Sequence, residues 1–382
     1  MKKAPIKTTI REKVAKLGAS GVKSLQKFSN ADPIHKEEDI TISVDLMGSD
    51  NAPEDAIFGV EESLVKHKHV SFILFGDKAE VERIRPEFDF ENPRCKFVHT
   101  DKKILSTQTL REAVKNSAQT SMKLAIESVK KKESDAIVSS GNTGALMGLS
   151  KILLRTLDGI DRPAICCTIP SFKTPVVMLD VGANIDCSSK NLFQFSVMGS
   201  AFFSAIYGKA NPTLGLLNIG EEESKGGTVI NEAAEMIKSS ELSNDFKGYI
   251  EPDKILQGNV DVVVQDGFIG NIFIKACEGT LSFVSHKVKK SIKRDWLLKI
   301  LFLIGKVFVS KKKLEEFDRR NYNGAMIMGL NGICVKSHGG ADGVGFAKAL
   351  DVAIMLVKEE VNQKISTGVH SLLKQNKAKK DA

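Results

Sequence analysis

The sequence predicts an α/β fold in which parallel strands alternate with crossover helices. Three short apolar runs have the composition of buried strands, at Ile40–Asp45, Val70–Phe75 and Ala136–Val138. Helical patterns separate these runs, and polar loops that contain glycine follow several strands. This alternation is typical of parallel sheets. The 382 residues are enough for one large α/β domain or two smaller ones.

The remaining elements follow in order along the chain. Pro53 suits the first turn of a helix, and Asp45 lies at the carboxyl end of a strand, where ligands collect in open sheets. Helices are predicted over Glu54–Lys66, near Ala79–Ile84, over Thr109–Lys130, Ala145–Leu154 and Asn191–Ile206, and from about Gly343. Further strands are predicted at Lys96–His99, Pro163–Ile169, Val176–Asp180, Thr213–Ile219, Val260–Val264 and Ile333–Val335.

Composition and charge narrow the class of protein. With 42% hydrophobic and 27% charged residues the chain is globular, and no run approaches the ~20 apolar residues of a membrane span. Six cysteines without a CxxC pair favour a reduced, cytoplasmic setting and predict no zinc or other metal site. Residues 1–31 have a net charge of +7 and residues 281–313 of +9, which leaves −8 for the rest of a chain with +8 overall. We therefore expect no nucleic-acid partner.

These shifts in composition divide the chain into three parts. Residues 1–38 are a basic N-terminal extension, residues 39–365 an α/β domain, and residues 366–382 a polar tail. Within the extension, apolar residues recur at near-helical spacing among lysines. That pattern suits a basic amphipathic helix on an anionic membrane, a flexible basic tail or an organelle transit peptide.

Residues 281–320 interrupt the α/β pattern with an amphipathic basic helical segment. The run WLLKILFLIGKVFV is too short to span a bilayer and too apolar for an ordinary surface helix. Apolar faces flanked by lysines suit shallow insertion into a membrane. The predicted membrane contacts are Trp296, Leu297, Leu301, Phe302 and Ile304. A helical pair buried at a dimer interface is the alternative.

One βα turn has the features of an anion site. Gly141, Asn142 and Thr143 lie between the strand Ala136–Val138 and a helix, whose N-terminus presents unpaired N–H donors to a phosphate. An ordinary βα connection with two glycines is the alternative. Polar, glycine-bearing loops at 139–144, 181–187, 220–227 and 265–271 all follow strands, and we expect them to converge on one cleft.

Two further residues at a strand end suit an anionic substrate. Lys336 and His338 follow the predicted strand Ile333–Val335 and precede a glycine-rich turn. A surface histidine without a role is the alternative. Covalent catalysis by Cys166, Cys167 or Cys187 is a competing mechanism, although free cysteines are usually inert core residues.

Seven stretches in order resemble one family, the bacterial acyl-carrier-protein phosphate acyltransferases (PlsX). They are DLMGSDNAPE, SDAIVSSGNTGALM, GIDRPA, LDVGANIDC, LLNIGEEESKG, VDVVVQDGFIGN and GLNGICVKSHG, and they span roughly 40–350. The resemblance implies a three-layer α/β/α sandwich with a mostly parallel sheet, related to phosphate acetyltransferase and isocitrate-dehydrogenase-like folds. It also implies a homodimer that attaches peripherally to the membrane.

The activity that the resemblance implies is transfer of a long-chain acyl group from acyl carrier protein to inorganic phosphate. A membrane glycerol-3-phosphate acyltransferase would then use the acyl phosphate for phospholipid synthesis, and no cofactor is required. On this hypothesis Gly141, Asn142 and Thr143 hold phosphate, and Lys225 neutralises phosphate or the oxyanion. Lys336 and His338 supply charge or a proton near the leaving thiolate. The orienting residues are Asp180, Asn184, Asp266 and Asn271.

The chain departs from the family pattern at two places. It has Ser49 where the family usually reads MGGD, and only Lys115 is basic where the family places a basic run before Ser121 and Met122. Two rival functions are a short-chain phosphate acyltransferase that uses acyl-coenzyme A and a non-catalytic membrane adaptor. A nicotinamide dehydrogenase is disfavoured because no GxGxxG opens the first βα unit.

Overall fold

A computed structural model describes residues 39–294 and 318–381. The predicted N-terminal extension lies outside the described residues. So do the five predicted membrane contacts, Trp296, Leu297, Leu301, Phe302 and Ile304. Within the described ranges, no helix is both long enough and apolar enough to cross a bilayer.

Within those same ranges, eleven strands form one sheet in the order β3-β2-β1-β4-β11-β10-β5-β6-β9-β7-β8. The strands are β1 Ile40–Asp45, β2 Val70–Gly76, β3 Cys95–His99, β4 Ala136–Ser139, β5 Ala164–Ile169, β6 Val176–Leu179, β7 Leu214–Leu217, β8 Phe246–Ile250, β9 Val262–Val264, β10 Ala325–Met328 and β11 Ile333–Lys336. Of these, β8 and β10 were not predicted from the sequence.

The sheet is mostly parallel, as predicted, but its two halves run in opposite directions. Strands β3, β2, β1, β4 and β11 are parallel to one another, and so are β6, β9, β7 and β8. Between the halves, β10 pairs antiparallel with β11 and β5, and β5 pairs antiparallel with β6. The strands of the two halves therefore have their carboxyl ends on opposite sides of the sheet along the strand direction, and we call these two sides its edges.

Helices cover both faces of the sheet. They are α1 Glu54–Lys66, α2 Lys78–Ile84, α3 Leu110–Lys115, α4 Ser121–Lys130, α5 Thr143–Leu154, α6 Ser189–Tyr207, α7 Thr228–Lys238, α8 Pro252–Ile255, α9 Gly267–Arg294, α10 Gly343–Lys358 and α11 Val361–Asp381. The prediction of a single helix over Thr109–Lys130 is wrong. The helix is interrupted between α3 and α4, where Gln119 has a φ of +62°. The tail predicted from residue 366 is helical, and Val369 is buried.

The alternation of side chains along each strand divides the core into two layers. Ala136 and Val138 face the larger layer, which α1, α6, α7, α10 and α11 cover. Ile137 points to the opposite face, where α4 and α5 pack over one half of the sheet. On that same face α9 packs over the other half through Phe273 and Ile274. The result is the three-layer α/β/α sandwich that the resemblance implied.

Candidate active site

The first polar group lies at the carboxyl ends of β1 and β4. Asp45 is buried, and its carboxylate accepts hydrogen bonds from Ser121 Oγ at 2.6 Å and Ser139 Oγ at 2.7 Å. Burial raises the pKa of Asp45, while these hydrogen bonds lower it. A Cβ at Gly48 would lie 2.4 Å from the backbone nitrogen of Gly141, so glycine is required for the two turns to meet.

The turn into α5 uses two of its predicted phosphate ligands for its own structure. The N–H of Gly141 donates to Ser139 Oγ at 3.0 Å. The side chain of Asn142 accepts from Ala145 N at 3.0 Å, as an N-cap, and donates to the carbonyl of Ser106 at 3.0 Å. The N–H groups of the first turn, which begins at Thr143, have no intrahelical acceptor. An anion at this turn would therefore meet the helix from Thr143 onwards.

The ammonium group of Lys336 lies at the same turn. Its Nζ donates to the carbonyl of Ser140 at 3.1 Å and also to the carbonyl of Ser337. Burial lowers the pKa of Lys336 to about 8, although the nearby carboxylate of Asp45 favours the charged form. Lys336 therefore changes its charge close to neutral pH, as expected of a group that binds an anion or transfers a proton.

His338 contacts Lys275 of helix α9, which packs on the other half of the sheet. Its Nε2 is 3.1 Å from Nζ of Lys275 in α9, and its Nδ1 accepts from the N–H of Gly340 at 3.2 Å. Asn323 Oδ1 accepts from the N–H of His338 at 2.9 Å. Lys275 was not among the residues predicted from the sequence. Its position four residues after Asn271, on the same helical face, is a signal that could have identified it.

The second polar group is built around Asp180, at the carboxyl end of β6. One carboxylate oxygen accepts from the N–H groups of Ile165 at 3.0 Å, Gly182 at 3.1 Å and Ala183 at 2.9 Å. The other oxygen accepts from the backbone and side-chain nitrogens of Asn184, at 2.7 and 2.8 Å. Asp180 is fully buried, and burial raises its pKa. With five donors in place, its carboxylate organises this loop.

Helix α9 begins in the second group and extends towards the first. The carbonyl of Asn184 accepts from the N–H of Gly267 at 2.7 Å, and Asp266 Oδ1 accepts from the N–H of Ile269 at 2.8 Å. Asn271 is exposed and lies against Gly182. Because Lys275 on this helix contacts His338, α9 connects the two edges of the sheet.

Lys225 lies apart from Lys336 and His338. It is exposed at the end of β7 and forms an ion pair with Glu222 at 2.9 Å. A cavity of about 440 Å³ lies near this loop, with Cys187, Gly227 and Gln265 among its lining residues. The loops 181–187, 220–227 and 265–271 thus follow strands that end at one edge of the sheet. The loop 139–144 follows β4, which ends at the other edge.

The three cysteines of the competing mechanism are poor nucleophiles here. Burial raises the pKa of Cys167 and of Cys187 to about 12, and it raises the pKa of Cys166 strongly. Since the thiolate is the reactive form, these groups are protonated near neutral pH. For the part of the chain that the structure covers, no cluster of three histidine, cysteine or carboxylate side chains could hold a metal ion.

The fold is an α/β/α sandwich with the architecture of the phosphotransacetylases. A phosphotransacetylase from Streptococcus pyogenes matches with a TM-score of 0.57 at 15% identity, over 91% of this chain and 99% of that one. The EutD phosphotransacetylase from Staphylococcus aureus matches with a TM-score of 0.53 at 16% identity, over 88% of this chain and 98% of its own. At such low identity the likeness shows the fold.

The sequence places the chain within one family. Residues 40–364 match the family model described as fatty acid synthesis protein, and the chain belongs to this family. A phosphate acyltransferase from Paramagnetospirillum magneticum is 43% identical over 85% of this chain and 93% of its own length. One from Ehrlichia canis is 42% identical over 87% of this chain and 99% of its own length. The protein is accordingly an enzyme of the acyltransferase class.

Proposed function

We propose that this enzyme transfers a long-chain acyl group from acyl carrier protein to inorganic phosphate. The observation on which the proposal rests is the meeting of Lys336, His338 and Lys275 at the turn before α5. Two lysines, an imidazole and a helix N-terminus favour a phosphate anion here, although Lys275 also pairs with Glu278 at 2.7 Å and Asp45 lies near Lys336. The product is an acyl phosphate for phospholipid synthesis, formed without a cofactor.

The reaction needs positioning more than a protein nucleophile. A phosphate oxygen attacks the thioester carbonyl, a C–O bond forms, the C–S bond breaks, and the thiolate takes a proton. The first turn of α5 from Thr143 and the ammonium of Lys336 hold the phosphate, and His338 supplies the proton. Holding both reactants in place lowers the activation free energy by several kcal/mol, and each hydrogen-bond donor to the oxyanion lowers it by ~3 kcal/mol.

The residues of the second group have supporting roles in this proposal. Asp180, Asn184 and Asp266 fix the start of α9, and Asn271 and Lys275 share the face of that helix. Lys225 was predicted to neutralise phosphate or the oxyanion, but it lies in the loop 220–227, away from the turn at which we propose that phosphate binds. Because Lys225 is paired with Glu222 at the other edge, Lys225→Ala is a sharp test. Full turnover of that variant would remove Lys225 from the mechanism.

We also propose that the enzyme is a cytoplasmic homodimer that attaches peripherally to the membrane, where a glycerol-3-phosphate acyltransferase can receive its product. Support comes from α9, whose apolar side chains are unusually exposed. Phe268 is 57% exposed, Phe283 62% and Val288 52%. Exposed apolar side chains in such number favour a cover, such as a second copy or lipid. Light scattering and vesicle flotation of the full chain test the two parts of this proposal separately.

The test of activity compares two thioesters of the same acyl chain. The enzyme is incubated with palmitoyl-acyl-carrier-protein or palmitoyl-coenzyme A, with and without phosphate, and acyl phosphate is trapped with hydroxylamine. We expect phosphate-dependent hydroxamate mainly from the carrier-linked donor. A short-chain coenzyme A thioester as the better donor would favour the rival transferase. No product from any donor would favour the adaptor.

A further inference from the structure

A basic surface with an apolar centre lies beside the candidate phosphate site. It comprises six exposed residues of the loop 101–109 and helix α3, and we call it the 102–115 surface. Its members are Lys102, Lys103, Leu105, Leu110, Arg111 and Lys115. Leu105 is 50% exposed and Leu110 46%; Lys103 lies two residues before Leu105, and Arg111 directly follows Leu110. Surfaces with an apolar centre and a charged rim are typical of protein interfaces.

The charge of this surface is only partly neutralised: Glu80 interacts electrostatically with Lys103, and the exposed Asp101 precedes Lys102. Among the described residues, none of its four cations has a carboxylate within ion-pair distance. Glu112, which lies between them, has its carboxylate engaged with Thr109 in a capping box, at 2.9 and 2.8 Å. Residues 101–115 have a net charge of +2 in a body whose net charge is −8. The surface is therefore available to attract an acidic partner.

Direct contacts connect this surface to the start of α5. The side chain of Asn142 donates to the carbonyls of Ser106 at 3.0 Å and Gln108 at 3.2 Å. The carbonyl of Lys102 accepts from the N–H of Ser121 at 3.0 Å, and Ser121 Oγ in turn donates to Asp45. A partner on this surface would thus deliver a tethered group next to the turn that Lys336 reaches.

We infer that the 102–115 surface is the docking site for the acidic carrier protein that presents the acyl thioester. This inference rests on the proposed function, because it assumes a donor attached to a carrier. Lys102, Lys103, Arg111 and Lys115 attract the acidic surface, while Leu105 and Leu110 contact its apolar residues. Electrostatic attraction of this kind raises the rate of encounter and weakens with salt.

The decisive variant reverses two charges, K102E/K103E. Binding of fluorescently labelled carrier protein is measured by anisotropy, and turnover is measured with palmitoyl-carrier and with palmitoyl-pantetheine, a thioester without a carrier. We expect carrier binding to weaken and the KM for palmitoyl-carrier to rise, each by about tenfold, with kcat unchanged. Turnover of palmitoyl-pantetheine should stay within twofold of the wild type, roughly the scatter of such assays.

The matched control is K130E/K131E, which makes the same charge change at the far end of α4. Both lysines are exposed, and neither has an ion-pair partner among the described residues. We expect this variant to bind the carrier like the wild type. If both double variants weaken binding equally, general repulsion explains the effect and the inference is overturned. Unaltered carrier binding by K102E/K103E overturns it as well.

The two proposals fail in different ways. If the wild type binds the carrier but forms no acyl phosphate, the proposed function is wrong. The docking site is then still tested by comparing carrier binding of K102E/K103E and the wild type by anisotropy. A wild type that does not bind the carrier disproves the docking site. If thermal melting shows that K102E/K103E does not fold, K102A/K103A removes the same two positive charges. We then expect about threefold weaker carrier binding, and the difference from the wild type should shrink as salt is added.

Discussion

The two polar groups of this enzyme are each built on a buried aspartate at a strand end, but their surroundings differ. Asp180 and Asp45 both follow a buried strand and precede a polar loop with a glycine. Asp180 accepts five hydrogen bonds from its own loop and the neighbouring strand. Around Asp45, by contrast, Lys336, His338 and Lys275 gather, of which His338 and Lys275 are exposed. One carboxylate organises the backbone, and the other lies beneath a cationic surface.

The difference shows that a polar loop at a strand end is not by itself a catalytic site. In the second group the carboxylate of Asp180 is fully occupied by five donors, so a substrate would have to break existing bonds to reach it. At the turn before α5 the first N–H groups of the helix have no intrahelical acceptor, and two lysines lie nearby, of which Lys275 forms an ion pair with Glu278 at 2.7 Å. We therefore expect substitutions in the first group to affect activity and substitutions in the second to affect folding.

The largest expected effect is that of Asp180→Ala on stability. The substitution leaves five donors without their acceptor, three of them in buried hydrogen bonds, and the free energy of unfolding should fall by about 3–5 kcal/mol. Urea unfolding followed by circular dichroism measures the loss. Asp180→Asn, which keeps one oxygen, should lose less. A stable Asp180→Ala variant would contradict the organising role.

Lys336→Met should reduce activity more than stability. We expect kcat/KM for acyl phosphate formation to fall by about 100-fold, because an oxyanion or phosphate contact is lost. The free energy of unfolding should change by less than about 1 kcal/mol, since the half-buried charge is itself costly. Parallel turnover and unfolding measurements test this separation. Equal losses in both would place Lys336 among the structural residues.

The depressed pKa of Lys336 predicts an opposite pH response of activity and stability. Turnover should fall as the pH rises through about 8, where Lys336 loses its proton. Between about pH 8 and roughly 10.4, its pKa in an unfolded chain, the unfolded state binds more protons. The contribution of this residue to the free energy of unfolding therefore rises with pH. Lys336→Met should lack both responses in matched pH profiles.

His338→Ala and Lys275→Ala should each reduce turnover by roughly tenfold, the lower range for an acid–base or charge contact. Because the two side chains are in contact, the double variant should lose less than the product of the two single losses. A double-mutant cycle on kcat/KM measures this coupling. Independent, multiplicative losses would mean that the contact has no role in turnover.

The smallest effect is expected at the cysteines. Cys187→Ala and Cys167→Ala should keep turnover within about twofold, because both thiols are protonated at neutral pH. Mass spectrometry during turnover should show no acylated enzyme. An acyl adduct on Cys187 would instead establish covalent catalysis.

Sequence analysis predicted the local elements well, because periodicity and capping act over a few residues. The strands β1, β2 and β4 illustrate this, as does α5, which was predicted over Ala145–Leu154 and extends over Thr143–Leu154. It predicted one helix where the structure has α3 and α4, because the backbone at Gln119 adopts a positive φ that no side-chain pattern reveals. It likewise treated residues 366–382 as a tail, although helix α11 continues there and buries Val369.

By itself the sequence determined the α/β alternation and the family motifs, and it predicted an anion site at the turn Gly141–Thr143. Only the tertiary structure decided which polar loops lie together. Strand direction depends on long-range pairing, and the antiparallel strands β10 and β5 send the two halves of the sheet in opposite directions. That reversal separates Lys225 from Lys336, and the path of α9 brings Lys275 to His338, a contact between residues 63 positions apart in sequence.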